Sequence, residues 1–184
     1  MNVFIGCGSA DTKEINNIYT EEAIKIASFL AQNNYDLFCG GTDGLQGIVR
    51  DTFLKKGRKA TVIWINNYWD RHDIPNSLFV DYIRERKSKI LDKANLMIVL
   101  PGAIGTYDEI FNAIESKRAN EHNVPIIIIN VNNYYSGLIT QLETTYQEKF
   151  ANLSNKKYYY ITDTADDAIK YIKELGEKKC RDIL

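Results

Sequence analysis

The sequence of 184 residues has the length of one domain, and 45% hydrophobic and 26% charged residues are typical of a globular protein. Its formal net charge of −1 argues against a nucleic-acid partner, because binding to a phosphate backbone depends on many Lys and Arg contacts. No apolar run approaches the roughly 20 residues of a membrane span, and the N-terminus lacks the pattern of a signal peptide. Three cysteines do not form a disulfide framework. We therefore expect a cytoplasmic protein with reduced cysteines and no membrane or nucleic-acid partner.

Short apolar runs alternate along the chain with longer stretches of helical periodicity. The runs predict seven strands, of which the fourth has the weakest pattern: Asn2–Cys7, Asp36–Cys39, Ala60–Ile65, Leu78–Ile83, Asn95–Leu100, Pro125–Val131 and Lys157–Ile161. Several runs are apolar at every position, which is typical of strands covered on both faces. Apolar residues at helical spacing lie between the strands, in the stripes Tyr19–Leu30, Leu45–Phe53, Tyr107–Ile114, Tyr135–Tyr146 and Ala165–Leu175.

This alternation predicts the fold class. Strands that are separated by helices form parallel sheets, because each helix carries the chain back to the start of the next strand. The sequence contains no internal repeat, low-complexity segment or linker that would divide it. We therefore predict a single α/β domain over residues 1–184, with a doubly wound, mostly parallel seven-stranded sheet and helices on both faces.

Glycine-rich segments follow three of the predicted strands. They are Gly6–Ala10, Gly40–Gly47 and Pro101–Thr106. One such segment is equally consistent with a tight turn, but three at the ligand-binding edge of a sheet favour a site for a phosphorylated small molecule. The candidate substrate-binding residues in these segments are Gly8, Ser9, Gly40, Gly41, Gly44, Pro101, Gly102, Ala103, Gly105 and Thr106.

Common cofactor and metal motifs are absent from the sequence. It has no G-x-x-x-x-G-K-[ST] phosphate loop, and its first turn lacks the G-x-G-x-x-G of dinucleotide-binding proteins. The acidic segment Asp70–Asp73 contains His72, but no second His or Cys cluster completes a metal site. We interpret this segment as part of a solvated loop, and we expect no metal and no cofactor.

Two cations fall on the predicted inward face of a helix that begins near Ile83. Arg86 and Lys87 follow Ile83 by three and four positions. The apolar residues on this face are Ile83, Ile90, Leu91 and Ala94. A buried cation is costly unless an anion meets it. Either these side chains snorkel or form an internal salt bridge, or they reach a ligand in the crevice.

Glu109 also has two interpretations. The spacing of Thr106 and Glu109 is that of a capping box, in which Thr106 is the N-cap and the carboxylate returns to its amide. The first turn of the same helix would face the crevice beyond the fifth strand, where a carboxylate could take part in catalysis. The spacing alone does not separate these interpretations.

These residues resemble a known signature. Arg86-Lys87, followed by Pro101-Gly102-Ala103-Ile104-Gly105-Thr106-Tyr107-Asp108-Glu109, is similar to the "RK … PGGxGTxxE" pattern of the LOG (Lonely guy) family, once labelled "possible lysine decarboxylase". The resemblance extends over nearly the whole chain, through Gly8-Ser9, Gly40–Gly47 and Asn130–Tyr135. The sequence departs from the pattern at Ala103, which replaces the second loop glycine. It also departs in the Gly40–Gly47 loop, which is one residue shorter than the usual "GGGxxGLMG".

The resemblance implies a Rossmann-like fold and a homodimer with active sites near the subunit interface. It implies an enzyme, a phosphoribohydrolase that cleaves the N-glycosidic bond of nucleoside 5′-monophosphates such as AMP or cytokinin nucleotides. The products would be the free base and ribose 5-phosphate. By the same resemblance, Arg86 and Glu109 are catalytic, and Gly102, Gly105 and Thr106 bind phosphate. We expect Lys87 to contribute to substrate binding.

Other functions remain open at this point. A non-catalytic module that senses a nucleotide or carries a phosphorylated cofactor, such as the molybdenum cofactor, is favoured by Ala103 and the altered second loop. The retained Arg86 and Glu109 argue against it. Nucleoside deoxyribosyl transfer breaks the same bond but needs a second nucleobase as acceptor. Lysine decarboxylation is not supported, because neither a Schiff-base lysine nor a partner for the pyridinium nitrogen of pyridoxal phosphate can be assigned.

Overall fold

The computed structural model describes residues 1–10, 16–41, 43–66 and 75–181, with side chains up to residue 177. Its centre is one parallel sheet, and all six strand pairs are parallel. The strand order is β4-β3-β2-β1-β5-β6-β7. The strands are β1 (Asn2–Gly6), β2 (Asp36–Cys39), β3 (Ala60–Ile65), β4 (Ser77–Val80), β5 (Leu96–Val99), β6 (Ile126–Ile129) and β7 (Tyr160–Thr162). The predicted Rossmann-like α/β fold is confirmed, and the sheet is wholly parallel.

Helices cover both faces of the sheet. They are α1 (Asn17–Gln32), α2 (Gly44–Lys55), α3 (Ile83–Lys93), α4 (Ile104–Arg118), α5 (Ser136–Gln147) and α6 (Ala165–Arg181). One apolar cluster joins β1 and β2 to α1, α2 and α6. A second cluster joins the opposite face to α3, α4 and α5. In the part of the chain that is described, no helix is both long enough and apolar enough to span a bilayer.

Two predicted strand boundaries are wrong by three residues, and the other boundaries differ by at most two. The fourth strand ends at Val80 instead of Ile83, because Ile83 already begins α3. The seventh begins at Tyr160 instead of Lys157. Lys157 lies in a 3-10 helix, Leu153–Tyr158, whose N-cap Asn152 accepts a hydrogen bond from the backbone N–H of Ser154 at 2.9 Å. This local cap competes with extension of the strand.

The predicted inward stripe of α3 is correct at its centre and wrong at its start. Arg86 and Ile90 are buried, whereas Ile83 is 51% exposed. Ile83 is the first residue of a helix that follows β4, and β4 is the edge strand of the sheet, so none of the described strands lies beyond β4 to cover it. Periodicity identifies the face of a helix, but the extent of the sheet decides how far along the helix that face is covered.

The order of the strands creates a crevice at the end of β1. From β1 the chain builds outward through β2, β3 and β4, and then returns to the other side of β1 to build β5, β6 and β7. The helix after β1 packs in one apolar cluster and the helix after β5 packs in the other. The connections after β1 and β5 therefore diverge, and open α/β sheets bind ligands at this point of divergence. The segment Asp70–Asp73 and Thr42 lie outside the described residues.

Candidate active site

A cavity of about 670 Å³ opens at this crevice. It is lined by both predicted catalytic residues, Arg86 and Glu109. Its lining also includes most of the predicted substrate-binding residues, which are Gly8, Ser9, Gly40, Gly41, Pro101, Gly102, Ala103, Gly105 and Thr106. Gly44 and Lys87 are not among the lining residues. The three glycine-rich segments thus meet at one place although they are separate in the sequence.

Arg86 and Glu109 form a buried ion pair in the wall of the cavity. Arg86 reaches it from the inward face of α3, and Glu109 from α4. Arg86 Nη2 donates a hydrogen bond to Glu109 Oε1 at 3.2 Å, and each side chain is 10% exposed. Of the interpretations open for Arg86, the internal salt bridge is confirmed, and the same side chain also borders the cavity.

The capping-box interpretation of Glu109 is wrong. Helix α4 begins at Ile104 with Ala103 at its N-cap, so Thr106 is the third helical residue. The backbone N–H groups of Thr106 and Tyr107 donate to the Ala103 carbonyl at 2.9 and 3.1 Å. The chain enters the helix three residues earlier than the capping pattern predicts. Glu109 therefore lies in the second turn, and its carboxylate pairs with Arg86 instead of capping the helix.

Burial raises the pKa of Glu109 to about 7. The positive charge of Arg86 opposes this shift, the negative charge of Asp108 adds to it, and Lys87 opposes it more weakly. A carboxyl group with a pKa near 7 can take up or release a proton at neutral pH, which is the property of a general acid or base. A strongly shifted pKa in a cleft is also typical of functional residues.

Two glycines make room for this pair. A Cβ on Gly6 would stand 2.8 Å from Glu109 Oε2, and a Cβ on Gly40 would overlap Arg86 Nη2 and stand 2.8 Å from Arg86 Cζ. We predicted Gly40 as a substrate contact, and the structure places it against the guanidinium. The sequence analysis did not assign Gly6 to the site. The sequence feature that could have identified Gly6 is its position as a glycine at the end of an apolar strand.

The loop before α4 presents the start of the helix to the cavity. A Cβ on Gly102 would overlap Thr106 Oγ1 and stand 2.8 Å from Gly8 N, whose N–H donates to the Pro101 carbonyl at 2.9 Å. Ala103 has φ −95° and ψ −157°, an extended conformation that alanine adopts without strain. The departure from the glycine of the family signature therefore does not distort the loop. Free N–H groups at a helix N-terminus are suited to bind phosphate.

Lys87 and Gly44, the two predicted site residues that do not line the cavity, contact elements next to it. Lys87 Nζ donates to Asp108 Oδ1 at 2.9 Å. Gly44 has φ +57°, a left-handed conformation, and a Cβ there would stand 2.7 Å from the carbonyl carbon of Ser9. Glycine at this position therefore lets the second loop pack against the first.

The sequence analysis missed several lining residues. Tyr134 OH donates to the Gly102 carbonyl at 2.7 Å, and its ring meets that of Tyr19 edge to face with centroids 6.1 Å apart. Leu45, Gln46 and Trp64 also line the cavity. Tyr134 lies in the Asn130–Tyr135 segment, which is part of the family resemblance, and this resemblance could have identified it as a site residue. Gln46 interrupts an otherwise apolar stripe of α2, and a buried polar residue at such a position suggests a specific contact.

The two cysteines near the crevice are free thiols. Cys7 borders the cavity, and both Cys7 and Cys39 are buried. Burial raises the pKa of Cys7, and it raises the pKa of Cys39 to about 11. A protonated thiol is a poor nucleophile. The expectation of reduced cysteines is confirmed for Cys7 and Cys39, and both lie in the apolar core. The side chain of Cys180 lies outside the described part of the chain.

Proteins of similar sequence align with most of this chain. A probable cytokinin riboside 5′-monophosphate phosphoribohydrolase from Oryza sativa subsp. japonica is 26% identical over 177 residues, which cover 94% of this chain and 72% of the relative. A cytokinin riboside 5′-monophosphate phosphoribohydrolase from Arabidopsis thaliana is 24% identical over 181 residues, which cover 96% of this chain and 84% of the relative.

Solved structures support the fold. The molybdenum cofactor carrier protein from Chlamydomonas reinhardtii superposes with a TM-score of 0.68 at 15% identity, covering 95% of this chain and 96% of that one. The molybdenum cofactor binding protein from Rippkaea orientalis gives a TM-score of 0.63 at 16% identity, covering 95% of both chains. Identities this low establish a common fold and nothing more.

The family assignment rests on the sequence match. The model of the family described as "Possible lysine decarboxylase" matches residues 40–172, well over half of the chain. The match includes the second glycine-rich loop, Arg86, the loop before α4 and Glu109. The chain therefore belongs to this family, the LOG family whose signature its sequence resembles.

Proposed function

We propose that this protein is a hydrolase that cleaves the N-glycosidic bond of a nucleoside 5′-monophosphate, giving the free base and ribose 5-phosphate. The observation that carries the proposal is the buried Arg86–Glu109 pair, which lines the same cavity as the N-terminus of α4. An anion-binding helix end and a carboxyl group with a pKa near neutrality are the two features that such a reaction requires.

The substrate can be oriented from the polarity of the cavity. The 5′-phosphate would lie at Gly102–Thr106, where the N–H groups of α4 begin. The ribose would then lie over the end of β1, beside Glu109. Apolar and aromatic side chains on the cavity wall would accept the base, namely Tyr19, Leu45, Trp64 and Tyr134. Binding sites for small molecules combine such apolar walls with a few polar groups that fix orientation.

The chemistry follows that of glycoside hydrolysis. The bond between C1′ and the base nitrogen breaks with its electron pair going to the base, which leaves positive charge on the ribose ring. The ionised Glu109 stabilises this cation or removes a proton from the water that adds to C1′. Arg86 holds the carboxylate in place through the 3.2 Å hydrogen bond, and its charge favours the ionised form. The proton that leaves the water balances the one that the departing base takes up.

The relatives support the same reaction class. The similar proteins from Oryza sativa and Arabidopsis thaliana carry the name cytokinin riboside 5′-monophosphate phosphoribohydrolase. At about 25% identity this supports the bond that is cleaved better than it supports a particular base. We therefore propose a nucleoside 5′-monophosphate as the substrate class, with AMP and a cytokinin nucleotide as the first members to test.

A binding module is the second candidate. The structural similarity to a molybdenum cofactor carrier and a molybdenum cofactor binding protein is compatible with it. A protein that only binds a phosphorylated ligand does not require a buried carboxyl group paired to a guanidinium, because a buried pair is costly to keep. We therefore rank the hydrolase first.

Incubation of the purified protein with a panel of nucleoside 5′-monophosphates, followed by chromatography of the free base, tests the proposal. We expect base release that requires the 5′-phosphate and falls by about 10²-fold or more in Glu109→Gln, in the range of acid–base catalysis. Glu115→Gln is the matched control, because Glu115 lies on the same helix and pairs with Arg118 on the surface. Wild-type turnover by Glu109→Gln would rule out this mechanism.

Two further outcomes separate the rival functions. Thermal stabilisation by a nucleotide without any release of base would favour the binding module. Release of base only when a second nucleobase is added would indicate deoxyribosyl transfer. Hydrolysis in water alone excludes both as the main activity.

We also propose that the protein is a homodimer. Two large apolar side chains of α4 are exposed, Ile104 at 81% and Phe111 at 49%, and Ile104 follows the loop that borders the cavity. A second copy that covers this face would remove the apolar surface from water. Sedimentation velocity at micromolar concentration should give about twice the mass of 21.1 kDa. A mass of one chain at all concentrations would contradict this.

A further inference from the structure

Gln46 carries a buried amide oxygen that has no hydrogen-bond partner within the described part of the structure. The residue is 8% exposed and lines the cavity from the first turn of α2. A buried carbonyl oxygen without a partner is costly, and native proteins rarely leave one unsatisfied. An acceptor in this position therefore indicates a donor that arrives from outside the protein.

The orientation of the amide is fixed by its other end. Gln46 Nε2 donates to the carbonyl oxygen of Cys7 at 2.7 Å, and the backbone N–H of Gln46 donates to the Gly8 carbonyl at 3.2 Å. A carbonyl oxygen only accepts, so the reversed amide would place two acceptors against each other. The NH₂ group of Gln46 must therefore face Cys7, and its oxygen must face away.

Gly41 of the second loop lies directly against this buried oxygen. A Cβ on Gly41 would stand 2.7 Å from Gln46 Oε1 and 3.9 Å from Ser9 Cβ. Because residue 41 is glycine, its own position contributes no side chain between Oε1 and Ser9. A ligand hydroxyl group that enters beside Gly41 from the cavity, with a small shift of this loop, would come within hydrogen-bond distance of the buried Oε1.

Gln46 and Glu109 approach the end of β1 from opposite faces of the sheet. Glu109 Oε2 lies against Gly6, and Gln46 Nε2 is bonded to the next residue, Cys7. Helix α2 packs in one apolar cluster and helix α4 in the other. A ring that lies across the end of β1 would therefore have the carboxylate on one side and the amide oxygen on the other.

We propose that Gln46 Oε1 accepts a hydrogen bond from a hydroxyl group of the ribose, and that this contact selects ribonucleotides over deoxyribonucleotides. The inference rests on the proposed function for the position of the sugar. A fixed acceptor repels phosphate oxygens, so it does not belong to the phosphate site. The donors that a nucleotide offers beside its glycosidic bond are the hydroxyl groups at C2′ and C3′. Gln46 acts as a specificity-determining residue in this scheme.

The test measures binding in the Glu109→Gln background, in which turnover does not interfere. The affinities of AMP, 2′-deoxy-AMP and 3′-deoxy-AMP are determined by calorimetry with and without Gln46→Met. With Gln46 present, AMP should bind about 10-fold more tightly than one of the two deoxy analogues, because a buried acceptor loses its partner. Gln46→Met should weaken AMP binding by a similar factor and bring that ratio to near one.

Two variants complete the experiment. Gln141→Met is the matched control on an exposed face of α5 and should leave every affinity unchanged. Gly41→Ala keeps Gln46 but places a methyl group over Oε1, so it should also abolish the preference for AMP. If Gln46→Met does not fold, Gly41→Ala alone tests whether Oε1 determines the preference for AMP.

The result that overturns the inference is a ribose preference that survives both Gln46→Met and Gly41→Ala, or no preference with Gln46 present. This outcome is distinct from failure of the proposed function. If the wild-type protein releases no base but the binding ratio collapses as described, the hydrolase proposal fails and the role of Gln46 stands. If base is released and the ratio does not change, the role of Gln46 fails alone. Absence of any AMP binding overturns both.

Discussion

The guanidinium group of Arg86 occupies the space in which a side chain at position 40 would lie. A Cβ on Gly40 would overlap Nη2 and stand 2.8 Å from Cζ of Arg86. The same Nη2 donates to Glu109 Oε1 at 3.2 Å. Gly40, at the end of β2, therefore leaves the space that the Arg86 guanidinium needs to reach the Glu109 carboxylate. A glycine that directly follows one strand thus makes room for an ion pair formed by two helices.

Gly40→Ala should impair catalysis more than it impairs folding. The added methyl group displaces the far end of a flexible side chain, so we expect a loss of only about 1–2 kcal/mol in the free energy of unfolding. Displacement of the guanidinium from Glu109 should lower kcat by about 10²-fold, because misplacement of a catalytic group by about 1 Å has an effect of that size. Urea unfolding and base-release kinetics measure the two effects. Gly137→Ala is the control, because a Cβ at Gly137 meets nothing within 4 Å. It should change neither the unfolding free energy nor kcat greatly.

The activity should fall as the pH drops below about 7. Burial raises the pKa of Glu109 from an ordinary value of 4.5 to about 7, so the carboxylate becomes protonated as the pH falls through this value. If the reaction needs the ionised form, kcat/KM should drop about tenfold for each pH unit below 7. The nucleotide phosphate also titrates in this region, so its contribution is measured separately as the pH dependence of AMP binding to Glu109→Gln. If kcat/KM instead declines only around pH 4.5, the prediction is contradicted.

Arg86 and Asp108 should shift the acidic limb of the pH–activity profile, which is the decline in activity at low pH, in opposite directions. Arg86 lowers the pKa of Glu109 and Asp108 raises it. Arg86→Met should therefore shift the acidic limb of the residual activity to higher pH, and Asp108→Asn should shift it to lower pH, with the larger shift in Arg86→Met. Asp92→Asn, an exposed residue of α3, serves as the control and should leave the limb in place. Shifts in the same direction for Arg86→Met and Asp108→Asn would show that another group determines the limb.

Tyr134→Phe should weaken nucleotide binding without a comparable loss of stability. The hydroxyl of Tyr134 donates to the Gly102 carbonyl at 2.7 Å and so fixes the loop proposed to bind phosphate. Loss of this bond should raise KM for AMP by about 3- to 10-fold, corresponding to one hydrogen bond, with kcat changed less than KM.

The neighbouring Tyr135→Phe is the matched comparison. Its hydroxyl donates to the Leu100 carbonyl at 2.8 Å, and the residue is fully buried. Removing that donor leaves a buried carbonyl unsatisfied, so we expect a loss of about 1–3 kcal/mol in unfolding free energy. KM should rise less than in Tyr134→Phe. A larger effect on KM from Tyr135→Phe than from Tyr134→Phe would show that Tyr134 does not position the loop.

Local sequence patterns predicted much of this molecule because they report local structure. The predicted segments Asp36–Cys39 and Ala60–Ile65 match β2 and β3. The spacing around Arg86 correctly placed this residue on the buried face of α3. Patterns failed where a neighbour in space decided the outcome. Thr106 has the spacing of a helix cap, but the chain enters α4 at Ile104, and Ile83 has the spacing of a core residue, but the sheet ends at β4.

The sequence by itself determined the alternation of strands and helices and the glycine-rich strand ends and, through the family signature, it predicted Arg86 and Glu109 as catalytic residues. Only the tertiary structure decided how these parts meet. Arg86 and Glu109 are 23 positions apart and pair because α3 and α4 pack on the same face of the sheet. Their pair lies at the crevice where the loops after β1, β2 and β5 meet, because β1 lies between β2 and β5. The contact between Gly40 and Arg86 and the position of the buried Gln46 oxygen at this crevice follow from the same strand order. Hydrophobic periodicity reports which face of an element is buried, whereas the contacts of a site depend on which elements are neighbours in the sheet.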